Sequence, residues 1–206
     1  HKVYQWLATF KFDRFGYTFL GSANLQREYD VDDDDFTELP RTLSFALGPK
    51  LLFAPDEKTS LTIGNAFSIQ KRTGGDIFVI RGDAGGIHQH FEKNDSMRNI
   101  TTISFDRTFD DSSRVVGKQA IAFFSREIET PADRFKGDQF NSYTDLAYFM
   151  NFGNNSLILG ANVVFDRFRE HLFFPDAPDR SETRTTLGGF VQNTADLTDK
   201  LSLEAG

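Results

Sequence analysis

The sequence of 206 residues has no cysteine, one tryptophan and two methionines. Without cysteine it can form neither a disulfide framework nor a thiolate metal site. It also lacks any run of apolar residues near the roughly 18 that a membrane-spanning helix needs. Strands that cross a membrane alternate in polarity, so a mean hydropathy of −0.41 does not exclude a membrane protein built from strands.

The chain has more acidic than basic residues and is rich in phenylalanine. Its formal net charge is −7 and its pI is about 5.1. A nucleic-acid partner requires a basic stripe, so we expect none. The 23 phenylalanines favour β-strands, either as the core of a soluble sandwich or as a lipid-facing surface. We favour the second interpretation because the phenylalanines recur on single faces of long strands.

The stretch from Pro40 to Gly82 predicts one long β-hairpin. In both arms apolar residues alternate with small polar ones, which is the period of a strand with two different faces. The turn is predicted over Ala54–Lys58, where proline and aspartate favour a reversal of the chain. Arms of this length, apolar outside and small-polar inside, suit a membrane barrel. The apolar parity comprises Leu43, Phe45, Leu47, Leu51 and Phe53, then Leu61, Ile63, Phe67 and Ile69.

The rest of the chain continues as a meander of strands, about ten in all, without a convincing helix. Thr73–Gly75 is predicted to bend the strand or form a bulge. Further strands are predicted over Val3–Asp13, Tyr17–Tyr29, His88–Phe109, Arg114–Thr130, Phe140–Phe152, Leu157–Phe168, Thr183–Ala195 and from Leu201. Short turns are predicted at Arg14–Gly16, Pro55–Lys58, Asp110–Ser113, Gly153–Asn155 and Asp196–Lys200. Longer polar loops are predicted at Asp30–Leu39, Arg81–Ile87, Pro131–Gln139 and Phe174–Glu182. This alternation of short turns and long loops is typical of an up-and-down outer-membrane barrel.

The chain resembles the barrel region of TonB-dependent outer-membrane receptors, especially those of Bacteroidetes-type bacteria. The similarity lies in the block that begins at Gly48, with GPKLLFAPDEKTSLTIGNAFSIQKRTGGDIFVIRG and then HQHFEKNDSMRN, and in DKLSLEAG from Asp199 to Gly206. The family's TonB box, plug domain and aromatic terminal strand have no counterpart in these residues. We therefore expect residues 1–206 to form part of an all-β, antiparallel, up-and-down transmembrane β-barrel. They would supply about ten strands of a larger barrel.

The resemblance implies active uptake of a nutrient such as a ferric siderophore, haem, cobalamin or a glycan. It implies a place in the bacterial outer membrane, contact with its lipid, and TonB acting through a region outside this sequence. A surface lipoprotein could accompany the barrel. The resemblance implies no enzymatic activity, catalytic residue, metal or cofactor, and no ligand-binding residue can be carried over from it. The polar parity, with Thr102, Asp106, Lys118 and Arg126, is expected to face water or a plug.

Two other classes of protein remain open at this stage. One is a small closed outer-membrane barrel that acts as an enzyme or an adhesin, and the other is a soluble β-sandwich binding module. A catalytic site would need a nucleophile, a base and a group that orients the base. Ser125, Asp145 and His171 are present, but their spacing matches no hydrolase motif.

Three short motifs invite a site hypothesis. Asp30–Asp35 could bind Ca²⁺, although it lacks the glycine and glutamate of an EF-hand, and a solvated acidic loop is the better interpretation. His88, His90 and Glu92 share one strand face and could touch a transition metal, but a third histidine or a cysteine is missing. Arg81–Asp83 is an adhesion-like tripeptide that arises readily by chance in a glycine-rich loop. The sequence assigns a function to none of them.

Overall fold

Ten β-strands form a single antiparallel sheet in the computed structural model, which describes residues 1–83, 85–171, 173, 178–198 and 200–206. Every strand pairs with its neighbours in sequence, so the topology is an up-and-down meander with open edges at the first and last strands. The predicted fold class, about ten antiparallel up-and-down strands, is therefore confirmed. The strands are β1 (Lys2–Lys11), β2 (Phe15–Gln26), β3 (Arg41–Asp56), β4 (Thr59–Gly75), β5 (Phe91–Asp110), β6 (Ser113–Glu129), β7 (Arg134–Phe152), β8 (Asn155–Glu170), β9 (Glu182–Thr198) and β10 (Leu201–Ala205).

One short helix, α1 (Ile77–Arg81), interrupts the meander, so the prediction of a chain without helix was wrong. The Asp76 side chain accepts a hydrogen bond from the backbone N–H of Phe78 and caps its first turn, and Gly82 ends it with a φ of 96°. The helix replaces the end of the hairpin predicted over Pro40–Gly82 and shares only Arg81 with the loop predicted over Arg81–Ile87, of which Ala84 lies outside the described residues. No described helix has the length and apolar character needed to cross a membrane.

The loop predicted over Pro131–Gln139 was also wrong, because β7 already begins at Arg134. The connection is reduced to four residues, closed by a hydrogen bond from Thr130 N–H to the Asp133 carbonyl at 2.9 Å. The polar residues that suggested a loop lie on a regular strand, and the Arg134 side chain forms an ion pair with Glu127 of β6. The predicted loop Phe174–Glu182 and the turn at Asp196–Lys200 lie partly outside the described residues.

Two local predictions in the long hairpin need correction. Thr73, Gly74 and Gly75 pair with β5 in unbroken register, so of the two predicted alternatives, a bend or a bulge, the bulge was wrong. The turn predicted over Ala54–Lys58 comprises only two residues in the structure, because β3 continues through Pro55 to Asp56. Asp56 does bond its own backbone as expected, accepting a hydrogen bond from Lys58 N–H at 2.9 Å.

Along the strands the apolar residues alternate with polar ones, and the register between strands places all these apolar sets on one face of the sheet, which we call the apolar face. For example, Phe53 pairs with Leu61, and Leu61 pairs with Phe105 of the next strand. These side chains are uncovered, with exposed fractions of 55% for Leu146 and 75% for Leu187. In the described chain only Ile77, Ile80 and Ala147 are buried apolar residues, so the sheet has no conventional core.

Two groups of polar side chains interrupt the apolar face near the middle of the sheet, and each group is bonded within itself. Asn65 donates to Asn99 at 3.1 Å and to Thr101 at 2.9 Å. Gln119 donates to the Ser142 hydroxyl at 3.0 Å and accepts from Thr144. Polar groups in an apolar environment are costly unless they are hydrogen-bonded, so these pairings suit an uncovered apolar face.

Candidate functional site

The opposite face of the sheet, which we call the polar face, carries the residues expected to point inward. The register places Thr102 opposite Ala120, Asp106 opposite Val116, and Ser104 opposite Lys118. Arg126 lies opposite Ser96, three rows of this face beyond Thr102 in the direction of the long loops. The four residues singled out from the sequence therefore share this face.

The polar face is divided by charge along the sheet. Between β2 and β6 its basic residues outnumber its acidic ones, and between β7 and β9 the balance reverses. The basic part carries Lys50, Arg72, Arg98, Arg114, Lys118 and Arg126 against Glu92 and Asp106, and the acidic part carries Asp145, Asp166, Glu170, Glu182 and Asp196 against Arg184.

A concavity of about 300 Å³ lies on the basic part of the polar face, and we call it the arginine pocket. Two adjacent cross-strand rows supply its side chains: Ser44, Gln70 and Ser96 in one row, and Ser22, Ala46, Ser68, Arg98 and Phe124 in the other. The Arg98 guanidinium lies 4.9 Å from the centroid of the Phe124 ring. Arg126 follows Ser96 in the first row, and its Nε donates to Asn94 Oδ1 at 3.1 Å.

The acidic part of the polar face is more fully hydrogen-bonded. Gln139 Nε2 donates to Asp166 Oδ2 at 2.8 Å, and Asn141 donates to the same oxygen. Tyr143 donates its hydroxyl to Asp145 at 3.2 Å. Because neighbouring side chains already occupy these carboxylates, they are less available to a ligand than the groups of the arginine pocket.

At the end of the sheet with the long loops, the connection from 27 to 40 packs against α1. Thr37 N–H donates to the Gly75 carbonyl at 2.9 Å, and Ile77 N–H donates to the Asp35 carbonyl at 2.9 Å. We call these two connections, 27–40 and 76–90, the loop cap. The backbone bonds join segments that are some forty residues apart in sequence and hold the cap together.

Glu28 is the electrostatic centre of the loop cap. Its side chain is 11% exposed and accepts from Arg41 Nε at 2.9 Å and Nη2 at 3.1 Å, while Arg81 Nε lies 3.7 Å away. The hydrogen bonds from Arg41, with smaller help from the Arg81 charge, lower the pKa of Glu28 to about 2. Glu28 thus remains ionised and joins the helix end to the start of β3.

We expect this pairing to make the loop cap sensitive to acid. Because the pKa of Glu28 is depressed on folding, its contribution is present above its ordinary pKa of 4.5 and is lost as the pH falls towards about 2. Hydrogen exchange at the Ile77 and Gly82 amides, followed from pH 6 to pH 2.5, should show a loss of protection that Glu28→Gln abolishes. Glu57→Gln, in the turn at the other end of the sheet, is the control and should leave the pH profile unchanged.

The histidine motif does not form a metal centre among the described residues. His88 Nδ1 lies 2.6 Å from Asp76 Oδ2, and its ring lies 4.5 Å from that of Phe78. Burial raises the pKa of Asp76, but the hydrogen bonds from His88 and from backbone amides outweigh it, so the pKa lies below its usual value. His90 lies instead beside Phe36, and neither it nor Glu92 joins His88 in a group of three ligands.

The acidic loop does bring carboxylates together. Ligand oxygens of Asp30, Asp32, Asp34 and Glu38 all lie within 4.8 Å of one another. The same Asp30 carboxylate accepts the backbone N–H of Asp33 at 2.8 Å, so these groups also shape the loop itself. The interpretation as a solvated acidic loop needs no bound ion.

The catalytic and adhesive motifs are not assembled. Ser125 lies on the apolar face and Asp145 on the polar face, and His171 Nε2 contacts Asp138 Oδ2 at 2.7 Å instead. In the tripeptide Arg81–Asp83, the arginine faces Glu28, the glycine caps α1, and the aspartate N–H bonds to the Phe78 carbonyl at 2.8 Å. This motif therefore ends a helix.

Comparison with known proteins finds similarity in structure alone. No family model matches the chain, and no curated protein sequence matches it. A solved structure described as the copper transporter OprC is similar, with a TM-score of 0.51 and 11% sequence identity. The superposition covers 96% of this chain and 40% of that one, so the chain spans less than half the length of the transporter. The chain thus shares the fold of part of that protein's β-barrel.

Proposed function

We propose that this chain is part of the barrel wall of a TonB-dependent outer-membrane transporter that takes up a nutrient. The observation that carries the proposal is the ten-stranded meander with one uncovered apolar face and one charged polar face, matched over 96% of its length by a transporter barrel. An outward apolar surface and a polar interior are what a transmembrane barrel requires.

The proposed arrangement gives each face a role. The apolar face contacts lipid, the polar face lines the interior, and further strands complete the barrel beside β1 and β10. A plug domain and a TonB-binding segment, outside these residues, would supply the gate and its coupling to energy. The wall performs no covalent chemistry in this proposal.

Copper is not part of the proposal, although the similar structure bears that name. Copper sites draw on soft sulfur ligands and imidazoles. The chain has no cysteine, and its methionines, Met97 and Met150, both lie on the apolar face. The two histidines of the loop cap make separate contacts, with Asp76 and with Phe36.

Detergent extraction of the native polypeptide from separated membranes tests the proposal. We expect it in the outer-membrane fraction, with electrophoretic mobility that changes on boiling and an intact mass several times the 23.4 kDa of this chain. Recovery in the soluble fraction without detergent would support a β-sandwich module and contradict the barrel. A mass close to 23.4 kDa in the membrane would instead support a small closed barrel.

A further inference from the structure

We propose that the arginine pocket binds a small anionic molecule that carries several hydroxyl groups. The inference rests on the proposed function, because it names the class of solute that the interior wall would recognise. It is carried by the charge of this part of the wall, the free donors in the pocket, and the pocket's size.

The charge of the pocket is uncompensated. Arg98 and Arg126 lie diagonally across β5 and β6, at a spacing of roughly 7–8 Å between Cα atoms. Neither makes an ion pair within 4.0 Å anywhere in the part of the chain that the structure describes, whereas Arg114 on the same face is paired with Asp106. Both guanidinium groups are exposed, so they are available to bind an anion at this place.

The remaining lining recognises hydroxyl groups. Four serines and Gln70 line the pocket together with Arg98, and no hydrogen bond within the described chain uses their side chains. Hydroxyl and amide groups both donate and accept, which is what a polyhydroxylated ligand offers in return. The Phe124 ring beneath Arg98 fixes the plane of the guanidinium and adds an apolar surface.

The size of the pocket limits the ligand. A volume of about 300 Å³ is at the lower end of small-molecule sites, which suits one phosphorylated or carboxylated sugar unit. The carboxylates of the acidic part repel an anion, so the same molecule would not bind there.

Binding of glucose 6-phosphate to the native polypeptide in detergent, measured by isothermal titration calorimetry, tests the proposal. We expect measurable binding, weakened about tenfold or more in Arg98→Gln and to a smaller extent in Arg126→Gln. Arg167→Gln, which removes the same charge from the apolar face, is the matched control and should bind like the wild type. Glucose should bind more weakly than glucose 6-phosphate because it lacks the anionic group. Inorganic phosphate should also bind more weakly, because it lacks the sugar hydroxyls.

Equal affinity of wild type and Arg98→Gln would overturn the proposal, as would equal affinity for glucose and glucose 6-phosphate. A wild-type polypeptide that binds no glucose 6-phosphate would also overturn the proposal. If Arg98 of such a non-binding protein is also protected from modification by phenylglyoxal, the pocket is occupied by an acidic protein segment instead. Heat-modifiable mobility is measured on every variant. A correctly inserted wild type that fails to bind contradicts the pocket alone, whereas failure to insert contradicts the proposed function.

Discussion

Replacement of Ile103 by arginine should lower the free energy of unfolding from lipid by about 2–4 kcal/mol, because a charge would then face the hydrocarbon. Ile103 lies near the middle of β5 on the apolar face, between Ile63 and Gln119, and is 37% exposed. Its neighbour Thr102 is also exposed but lies on the polar face. Thr102→Arg is therefore the matched control and should cost less than about 1 kcal/mol, as is usual for exposed polar positions.

Urea titration of the protein in lipid vesicles, followed by the change of electrophoretic mobility, measures both variants. The difference between them depends on which face meets lipid, because the two positions are adjacent in sequence and share a strand. Equal costs at Ile103 and Thr102 would contradict the assignment of the apolar face to the membrane. A larger cost at Thr102 would reverse the two faces.

Replacement of Gly75 by alanine should loosen the loop cap by about 2 kcal/mol. Gly75 has a φ of 115°, which side-chain-bearing residues rarely adopt, and an added Cβ would lie 2.8 Å from the His90 carbonyl oxygen. Its own N–H and carbonyl both bond to Thr37. Any shift that relieves the clash therefore disturbs the contact between the two connections of the cap.

Hydrogen exchange at Ile77, Gly82 and Asp83 measures this effect, and about 2 kcal/mol corresponds to exchange roughly thirty times faster. Gly74→Ala is the control, since a Cβ there would meet only the side chains of Pro40 and Thr37, at 3.3 and 3.5 Å. Unchanged exchange in Gly75→Ala would show that the backbone at this glycine does not hold the cap.

Alternation of polarity was enough to predict the faces of the sheet. Leu43 to Phe53 and Leu61 to Ile69 were assigned to one face from their period, and the register joins them as expected. The prediction of strand ends was wrong where a strand continues beyond its apolar residues, as at the start of β7 at Arg134. Polar residues at the end of a strand have the same composition as a loop. Helix α1 was missed because five residues give no period, and its stability comes from the Asp76 cap and from contacts with a distant connection.

The arginine pocket could not be predicted, because it combines side chains from five strands. Ser22 and Phe124 are about a hundred residues apart, and their alignment depends on four successive registers. The alternation of residues along β5 and β6 does predict that Arg98 and Arg126 share a face. It does not predict that the two arginines are neighbours or that neither forms an ion pair with a carboxylate. The pairing of Glu28 with Arg41 and Arg81 was missed for the same reason.

The division of the polar face by charge makes this face of the sheet electrically dipolar. A field directed from the β2–β6 side to the β7–β9 side runs along the surface and across the strands. A zwitterion that rests on the wall would therefore turn until its negative end points to β2–β6 and its positive end to β7–β9. The charge of this face would orient such a molecule across the strands before any single side chain holds it.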